Sequence, residues 1–501
     1  MNDIKKRKIS FTLVWFIATA VICVLLSFVM IPEIAAQGNG QSVLQGTTNV
    51  QQSRRYHSII QNVFNFIQNH YVEEIDPKVI FEGAMKGMFS ALDDPYSSFL
   101  SESDMKDMND TTHGNFGGVG LNIIKASSPR PDGKPMWVEV TSPIEDTPGW
   151  RAGISPGDFI TEINGIATET ISMDEVLAML RGTPGEDVKI VIRRGEKMEF
   201  PVTITRAIIE VPTAKHAMIG DTGYLKLLTF TPMTAPRARD AINEFKTKNY
   251  KSLILDLRNN YGGLLNSAVD VCSLFLDDGL VVRTRSRIPS ENQDFNAKRG
   301  NLVPSNMPVI VLINRGSASA SEIVAGALKD RGRAYLVGEK SFGKGSVQQV
   351  YPLENSGFKI TTAHYYTPSD VNINKIGIPP DREVKFPEYT EEDAVKMNAL
   401  INANKIPEFA GLYPKADAAQ IEAFAKTLEK EFHLDLSLLK RLIRNELNRT
   451  SFAPVYDLEY DVQLQEAINI LRSGAYPQLM DNYKTLKALQ EEAEVKLPLA
   501  S

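Results

Sequence analysis

A serine-rich run and a later lysine supply the two groups that a Ser-Lys hydrolase needs. The run is Ser317-Ala-Ser-Ala-Ser-Glu-Ile323, and Lys344 lies within Phe-Gly-Lys-Gly. A serine hydroxyl is a poor nucleophile until a base takes its proton, and a lysine is such a base only when burial lowers its pKa from about 10.4. The residues alone leave open whether Ser317, Ser319 or Ser321 would be the nucleophile.

Each of these segments also has an ordinary structural explanation. Small-residue runs are common where a loop enters a helix and a hydroxyl caps the first turn. An isolated lysine is most often a solvated surface charge. A third segment favours chemistry, because Leu253–Leu265 predicts a buried apolar strand that ends in a Gly-Gly turn. Such a turn can direct backbone N–H groups at an oxyanion.

Five segments occur in an informative order: Asp256–Gly263, Ser317–Ile323, Ser341–Gln348, Ile360–Pro368 and Ile376–Asp381. Together they closely resemble the carboxyl-terminal processing peptidases, also called tail-specific proteases. The resemblance extends from about residue 57 to about residue 385. It implies serine endopeptidase activity without a cofactor, and an α/β layered core that resembles the ClpP/crotonase-like folds. The alternation of predicted strands and helices independently favours an α/β core.

The resemblance also implies a role for individual side chains. It makes Ser319 the nucleophile, Lys344 the general base and Gln348 the polar residue that orients the lysine. If the segment after Lys344 is extended, residues four apart point the same way, so Lys344 and Gln348 would share a face.

The oxyanion hole is implied in the same manner. The resemblance assigns it to the backbone N–H groups of Gly263 and Ala320, with Gly262 allowing the turn. Tyr261 departs from the family, in which proline or a small turn residue is commoner at this position.

A second module precedes the core. The segments Gly114–Ile123, Thr141–Pro148, Ala152–Asp158 and Ile163–Gly165 resemble a PDZ domain. The strand that begins at Gly120 is expected to pair with an extended substrate tail. The alternative is a β-rich domain with glycine turns and no ligand. The residues expected to bind the tail and its terminal carboxylate are Phe116, Gly117, Gly118, Val119, Gly120 and Leu121.

The N-terminus carries a membrane signal. Lys5-Lys-Arg-Lys8 precedes the apolar stretch Ile9–Ile31, which is long enough for a membrane helix of about 20 residues. Positive charge before such a helix favours a cytoplasmic N-terminus and an extracytoplasmic remainder. A cleaved signal peptide is the alternative, since Ala35 and Ala36 are small. The apolar stretch is nevertheless longer than the usual 7 to 15 residues of a signal peptide.

Composition excludes several other classes. The net charge of −6 over 501 residues, without a basic stripe, argues against a nucleic-acid partner. The six histidines show no metal-ligand spacing, so the sequence predicts no metal site. Cys23 lies in the apolar stretch and Cys272 in the core, so no disulfide is expected in the exported portion.

These signals divide the chain into six predicted segments. The segment Leu92–Ser97 resembles the family's turn before the PDZ domain and is predicted to be scaffold. Beyond residue 385, apolar residues at helical spacing predict helices that dock on the core, cap it or form a dimer. The segments are 1–36, a cytoplasmic stub and transmembrane signal anchor; 37–55, a flexible tether; 56–111, an N-terminal helical region; 112–206, the PDZ domain; 207–385, the Ser-Lys peptidase core; and 386–501, a helical C-terminal region.

The sequence therefore predicts a membrane-anchored, extracytoplasmic endopeptidase of the bacterial cell envelope. Its partners would be protein substrates with accessible C-terminal tails, an envelope adaptor protein, and a second copy of the chain bound through the C-terminal region. The alternative is a PDZ scaffold or pseudopeptidase that binds tails without cutting them.

Overall fold

The computed structural model describes residues 40–126, 135–195, 198–386, 390–449 and 454–496. Among the described residues, those from 40 to 84 form one compact unit, and those from 85 to 496 form another. Helix α1 spans Gly40–His70, and helix α2 spans Pro77–Ser90.

The expected flexible tether at 37–55 is wrong for the part that the structure describes, because α1 begins at Gly40. The segment lacks proline. Glutamine, serine and threonine cost a helix at most about 0.7 kcal/mol each, and the interior Gly46 costs about 1 kcal/mol. The polar composition therefore did not prevent helix formation.

The predicted membrane helix, Ile9–Ile31, lies outside the described residues. Within the described ranges, no helix combines the length and apolar character needed to cross a bilayer.

The predicted PDZ domain is built on an antiparallel sheet with the strand order β3-β4-β5-β7-β8, and β6 pairs with β5. Strand β3 lies at one end of this order, and the core between sheet and helices is almost entirely valine, isoleucine and leucine. Strand β2 pairs separately with β9. The elements are β2 Asn115–Gly118, β3 Leu121–Lys125, β4 Val138–Pro143, α4 Pro148–Arg151, β5 Phe159–Ile163, β6 Ile166–Ala167, α5 Met173–Leu180, β7 Asp187–Arg194, β8 Met198–Thr205 and β9 Ala207–Glu210.

The predicted peptidase core is built on a six-stranded sheet with the order β10-β11-β12-β15-β16-β19. All its pairs are parallel except β10 with β11. Every residue of β12, β15 and β16 is buried, as expected for parallel strands covered on both faces. The elements of this layer are β10 Ala214–Ile219, β11 Thr222–Leu227, α6 Thr234–Thr247, β12 Ser252–Asp256, α7 Leu265–Cys272, β15 Val309–Ile313, α8 Ala320–Asp330, β16 Tyr335–Gly338 and β19 Arg382–Glu383.

A second sheet carries the segment that follows Lys344. Its strand order is β1-β18-β13-β14, and β17 also pairs with β18. The pairing of β1 with β18 brings the segment before the PDZ domain against the peptidase core. The elements are β1 Ser98–Leu100, α3 Glu102–His113, β13 Leu280–Ser286, β14 Gln293–Asn296, β17 Ser346–Leu353 and β18 Ser356–Tyr366.

The C-terminal region is helical, as predicted. Leu464, Ala467 and Ile468 of one helix pack on the face of the core sheet opposite α6, α7 and α8. This helix therefore completes the core, whereas four earlier helices share a cluster of their own. The bounds are α9 Glu391–Asn402, α10 Lys405–Leu412, α11 Ala418–Phe432, α12 Leu436–Arg449, α13 Val462–Arg472, α14 Tyr476–Asp481 and α15 Leu486–Lys496.

Candidate active site

Three loops meet at one edge of the core sheet. They follow β12, β15 and β16, which are parallel neighbours whose carboxyl ends share an edge. The first loop carries Gly262 and Gly263, the second carries Ser319, and the third carries Lys344. The sheet thus brings together three segments that are far apart in sequence.

Ser319 has an uncommon backbone conformation directly before α8. Its φ is 54° and its ψ is −114°, outside the regions that residues other than glycine usually adopt, at a cost of about 1–3 kcal/mol. Its backbone carbonyl accepts the N–H of Glu322 at 2.8 Å. The Ser319 hydroxyl lies beside the buried hydroxyl of Tyr365. The serine hydroxyl is therefore available at the loop rather than used as a helix cap.

The fully buried carboxylate of Glu322 connects the serine and lysine loops. Its Oε2 accepts the backbone N–H groups of Ser319 at 2.9 Å and of Lys344 at 2.8 Å. Its Oε1 accepts the Ser341 hydroxyl at 2.6 Å and the N–H of Gly343 at 2.7 Å. Because one oxygen binds both amides, the backbone nitrogens of Ser319 and Lys344 lie within about 6 Å of each other. Burial raises the pKa of Glu322, and these hydrogen bonds oppose that shift.

Lys344 is half-buried, and its amine lies over an aromatic ring. Nζ is 4.6 Å from the centroid of the Tyr96 ring. Burial lowers the pKa of Lys344 and the positive charge of Lys359 lowers it further, whereas Asp94 and Glu322 act in the opposite direction. The net direction is the one that a lysine base requires.

Gln348 does not contact Lys344 in the way the sequence suggested. Its Nε2 donates to the Ser346 hydroxyl at 2.9 Å and to Thr361 Oγ1 at 3.2 Å. β17 begins only at Ser346, so Lys344 lies before the strand in which side chains alternate, and strand pairing does not place it on the same face as Gln348. An orienting role for Gln348 therefore stays a prediction.

The turn residue Gly262, directly before the predicted oxyanion residue Gly263, lies beside Ser319 and Ala320. A Cβ added to Gly262, whose φ is 104°, would lie 2.8 Å from Ser319 Cβ and 2.9 Å from the Ala320 nitrogen. Only glycine fits this approach. In the described part of the chain, the N–H groups of Gly263 and Ala320 have no backbone acceptor. The preceding Tyr261 is 77% exposed, so its side chain lies outside this contact.

A cavity of about 430 Å³ opens beside Gln348. Leu265, Phe295 and Val347 supply apolar surface, and polar side chains of β13 and β17 complete its wall. Its position and mixed lining suit the side chains of a polypeptide.

The residues predicted to bind a tail fall into two groups. Phe116, Gly117 and Gly118 belong to β2, which pairs with β9, so part of the expected loop is already a strand. Val119 and Gly120 form the turn into β3, and Leu121 is the first residue of that strand. The edge of β3 remote from β4 has no paired strand among the described residues. Such an edge can accept an extended peptide.

Several polar and aromatic residues at the site were not recognised from sequence. Glu322 was only one letter of a matching run, although a glutamate three residues after a serine is a recognised helix-start signal. Tyr365 lay in another matching segment, and burial raises its pKa to about 12, so its hydroxyl stays neutral. Tyr96 was predicted to be scaffold. No local pattern indicated that its ring would reach Lys344.

Within the part of the chain that the structure describes, no group of three or more histidine, cysteine, aspartate or glutamate side chains is placed to hold a metal ion.

Three segments of the chain match known protein families. Residues 221–384 match peptidase family S41, residues 139–194 match the PDZ domain, and residues 21–104 match the activating protease CtpB N-terminal domain. The carboxy-terminal-processing protease of Bartonella bacilliformis is 36% identical over 414 residues, which cover 81% of this chain and 93% of that protein.

Two further similarities extend the comparison. The carboxy-terminal processing protease CtpA of Bacillus subtilis is 30% identical over 370 residues, covering 74% of this chain and 77% of that protein. Among solved structures, the photosystem II D1 C-terminal processing protease is 30% identical with a TM-score of 0.40, over 65% of this chain and 92% of that one.

Proposed function

Because this chain belongs to the family of carboxy-terminal-processing proteases, which are serine peptidases with a PDZ domain, we propose that it cleaves protein substrates by a Ser-Lys mechanism after its PDZ domain binds their C-terminal tails. One observation carries the catalytic part of this proposal. The carboxylate of Glu322 binds the backbone N–H groups of both Ser319 and Lys344 and so holds nucleophile and base together.

The reaction begins with proton transfer from Ser319 to Lys344. Neutral Lys344 takes the hydroxyl proton as Ser319 Oγ forms a bond to the carbonyl carbon of the scissile peptide. The carbonyl electrons move onto oxygen, where the N–H groups of Gly263 and Ala320 stabilise the oxyanion. By analogy with known oxyanion donors, each N–H contributes roughly 3 kcal/mol.

Collapse of the tetrahedral intermediate breaks the C–N bond. The ammonium of Lys344 gives its proton to the departing amine and becomes neutral again, and an acyl-enzyme on Ser319 remains. Lys344 then takes a proton from water, whose oxygen attacks the ester carbon. The second collapse returns the proton to Ser319 Oγ and releases the new carboxyl terminus.

A purified protein incubated with a disordered substrate tests this assignment. Ser319→Ala and Lys344→Met are each expected to lower the cleavage rate at least about 1,000-fold, because both groups take part in bond making. Ser317→Ala serves as a matched control, since that hydroxyl is bound to the Leu257 carbonyl at 2.9 Å. If the Ser319→Ala and Lys344→Met proteins cleave the substrate at the rate of the unchanged protein, the assignment is refuted.

Tail recognition is expected along the unpaired edge of β3. Backbone hydrogen bonds would extend the sheet, while N–H groups of the Val119–Gly120 turn would bind the terminal carboxylate. Hydrogen bonds to a charged group contribute about 1.5–3 kcal/mol. Amidation of a peptide's C-terminus should therefore weaken its binding to the Ser319→Ala protein at least about 10-fold. Equal affinities, measured by fluorescence anisotropy, would contradict carboxylate recognition.

We further propose that residues 1–36 anchor the protein in the cytoplasmic membrane of a bacterium, with the catalytic domain on the extracytoplasmic, periplasmic side. The four basic residues before the Ile9–Ile31 stretch support this orientation. Alkaline phosphatase, which is active only after export, can be fused after Arg55 in otherwise intact N-terminal sequence. An active fusion in the membrane fraction is expected, and an active fusion in the soluble fraction would favour a cleaved signal peptide.

A further inference from the structure

The amine of Lys344 contacts the turn that precedes the PDZ domain. Nζ lies 4.6 Å from the ring centroid of Tyr96, within the range of a cation–π contact. In the described part of the protein, this ring is the group that the lysine amine approaches, and no hydrogen bond joins the amine to Ser319. An aromatic face stabilises an ammonium group more than a neutral amine.

The turn that carries Tyr96 is fixed to the peptidase core. The Asp94 carboxylate accepts the Ser97 hydroxyl at 2.5 Å, the Thr361 hydroxyl at 2.6 Å and the N–H of Tyr96 at 3.1 Å. The Ser97 hydroxyl also accepts the N–H of Thr361 at 3.0 Å. These bonds attach the turn to β18 on both sides of the aromatic residue.

The same attachment includes the third residue of the predicted catalytic set. Thr361 Oγ1, which donates to Asp94, accepts the Nε2 of Gln348 at 3.2 Å. Through Thr361, Gln348 therefore supports the turn whose aromatic ring lies at the lysine amine.

We propose that Tyr96 is a positioning residue for Lys344, whose ring holds the amine at the site and stabilises the ammonium that forms when Ser319 loses its proton. This inference rests on the proposed Ser-Lys function and assigns the Asp94–Ser97 turn to the active site. The Asp94, Thr361 and Gln348 network keeps the ring in place.

The charged groups around Lys344 stay the same when Tyr96 is replaced, so the aromatic ring determines the sign of the pH effect. They are Asp94 on the same turn as Tyr96, Lys359 on β18 and Glu322 on α8, with the uncharged Gln348 on β17. None of them changes when Tyr96 is replaced. Since the ring favours the ammonium, its removal should lower the pKa of Lys344. The neutral base would then be present at lower pH, and the acid limb of kcat/KM should move in that direction.

The experiment compares Tyr96→Leu with Tyr96→Phe in the full chain. Leucine retains apolar volume but lacks a ring face, whereas phenylalanine retains the face. The acid midpoint of kcat/KM should fall by roughly half to one pH unit in Tyr96→Leu. The plateau kcat should fall about 10-fold, and Tyr96→Phe should keep the midpoint of the unchanged protein. Tyr413→Leu, on a half-exposed side chain of the C-terminal region, is the matched control and should move neither quantity.

A merely structural role for Tyr96 would lower activity without moving the midpoint. An unchanged midpoint in Tyr96→Leu, or an equal shift in Tyr96→Phe, overturns the inference. If Tyr96→Leu is too slow to assay, NMR titration of the Lys344 ε-carbon in Ser319→Ala protein, with and without Tyr96→Leu, gives the same comparison. A cleavage rate of Lys344→Met equal to that of the unchanged protein would instead refute the proposed function, so the two failures are distinguishable.

Discussion

Two helices in the same compact unit begin with the pattern Ser-x-x-Glu, one in the PDZ domain and one at the candidate active site. At Ser172 the φ is −70° and the hydroxyl accepts the N–H of Glu175 at 3.2 Å, as in an ordinary capping box. At Ser319 the φ is +54°, and the backbone carbonyl accepts the corresponding N–H instead. The backbone conformation therefore decides whether the hydroxyl closes a helix or remains available for chemistry.

The glutamates of the two patterns, Glu175 and Glu322, also differ in their surroundings. The carboxylate of Glu175 is exposed and, among the described residues, accepts hydrogen bonds from the Ser172 N–H and hydroxyl at 2.7 and 2.8 Å. The carboxylate of Glu322 is fully buried and binds groups from two loops. A local cap has thus become a connection between distant segments, and the strain at Ser319 is maintained by that connection.

The largest difference in stability and kcat between the two sites should appear when each glutamate is replaced by glutamine. Glu322→Gln puts an NH₂ group against N–H donors in a buried site, which should lower the free energy of unfolding by about 3 kcal/mol. Misplacement of the two loops should lower kcat about 100-fold. Glu175→Gln is the matched control and should cost less than about 1 kcal/mol, with kcat unchanged. Urea unfolding measures the free energy of unfolding, and cleavage assays measure kcat. Equal losses in Glu322→Gln and Glu175→Gln would contradict a special role for Glu322.

A smaller effect is expected from Tyr365→Phe. This change removes the hydroxyl beside Ser319 and retains the buried ring. Loss of one neutral hydrogen-bond partner should lower kcat about 5-fold, with little change in KM. Tyr250→Phe is a suitable control, because that buried hydroxyl has no hydrogen-bond partner within the described residues. A kcat for Tyr365→Phe equal to that of the control would show that the hydroxyl does not assist Ser319.

The smallest change should come from Ser172→Ala in the PDZ domain. Loss of an ordinary helix cap costs about 1 kcal/mol. Hydrogen exchange should increase at the start of α5 while the amides of α8 keep their protection. Equal loss of protection in both helices would mean that the two caps are not independent.

The sequence predicted the order of the core elements well, because their signals are local. The apolar run at Leu253–Leu257 and the paired glycines after it indicate a buried strand and a tight turn without any tertiary information. The same holds for the helix after Ser319. The α/β fold class is therefore predictable from these local signals, whereas the choice of Ser319 among the three serines needed the family resemblance.

Contacts between distant segments were beyond local reasoning. Gln348 donates to Thr361 of β18, and the Asp94–Ser97 turn reaches Lys344 through pairing of β1 with β18. Neither depends on the neighbouring residues alone. The polar segment after residue 37 was misjudged for a related reason, because composition sets only a weak preference against helix.

Covalent labelling with a serine-reactive fluorophosphonate tests most directly whether Ser319 and Lys344 form one catalytic unit. Mass spectrometry should locate the label on Ser319. The labelling rate should rise as pH increases through the pKa of Lys344, which burial places below the usual 10.5, because only the neutral amine can take the serine proton. Lys344→Met should abolish this pH-dependent labelling. Label on Ser317 or Ser321, or a rate on Ser319 that is independent of both pH and Lys344, would contradict the account.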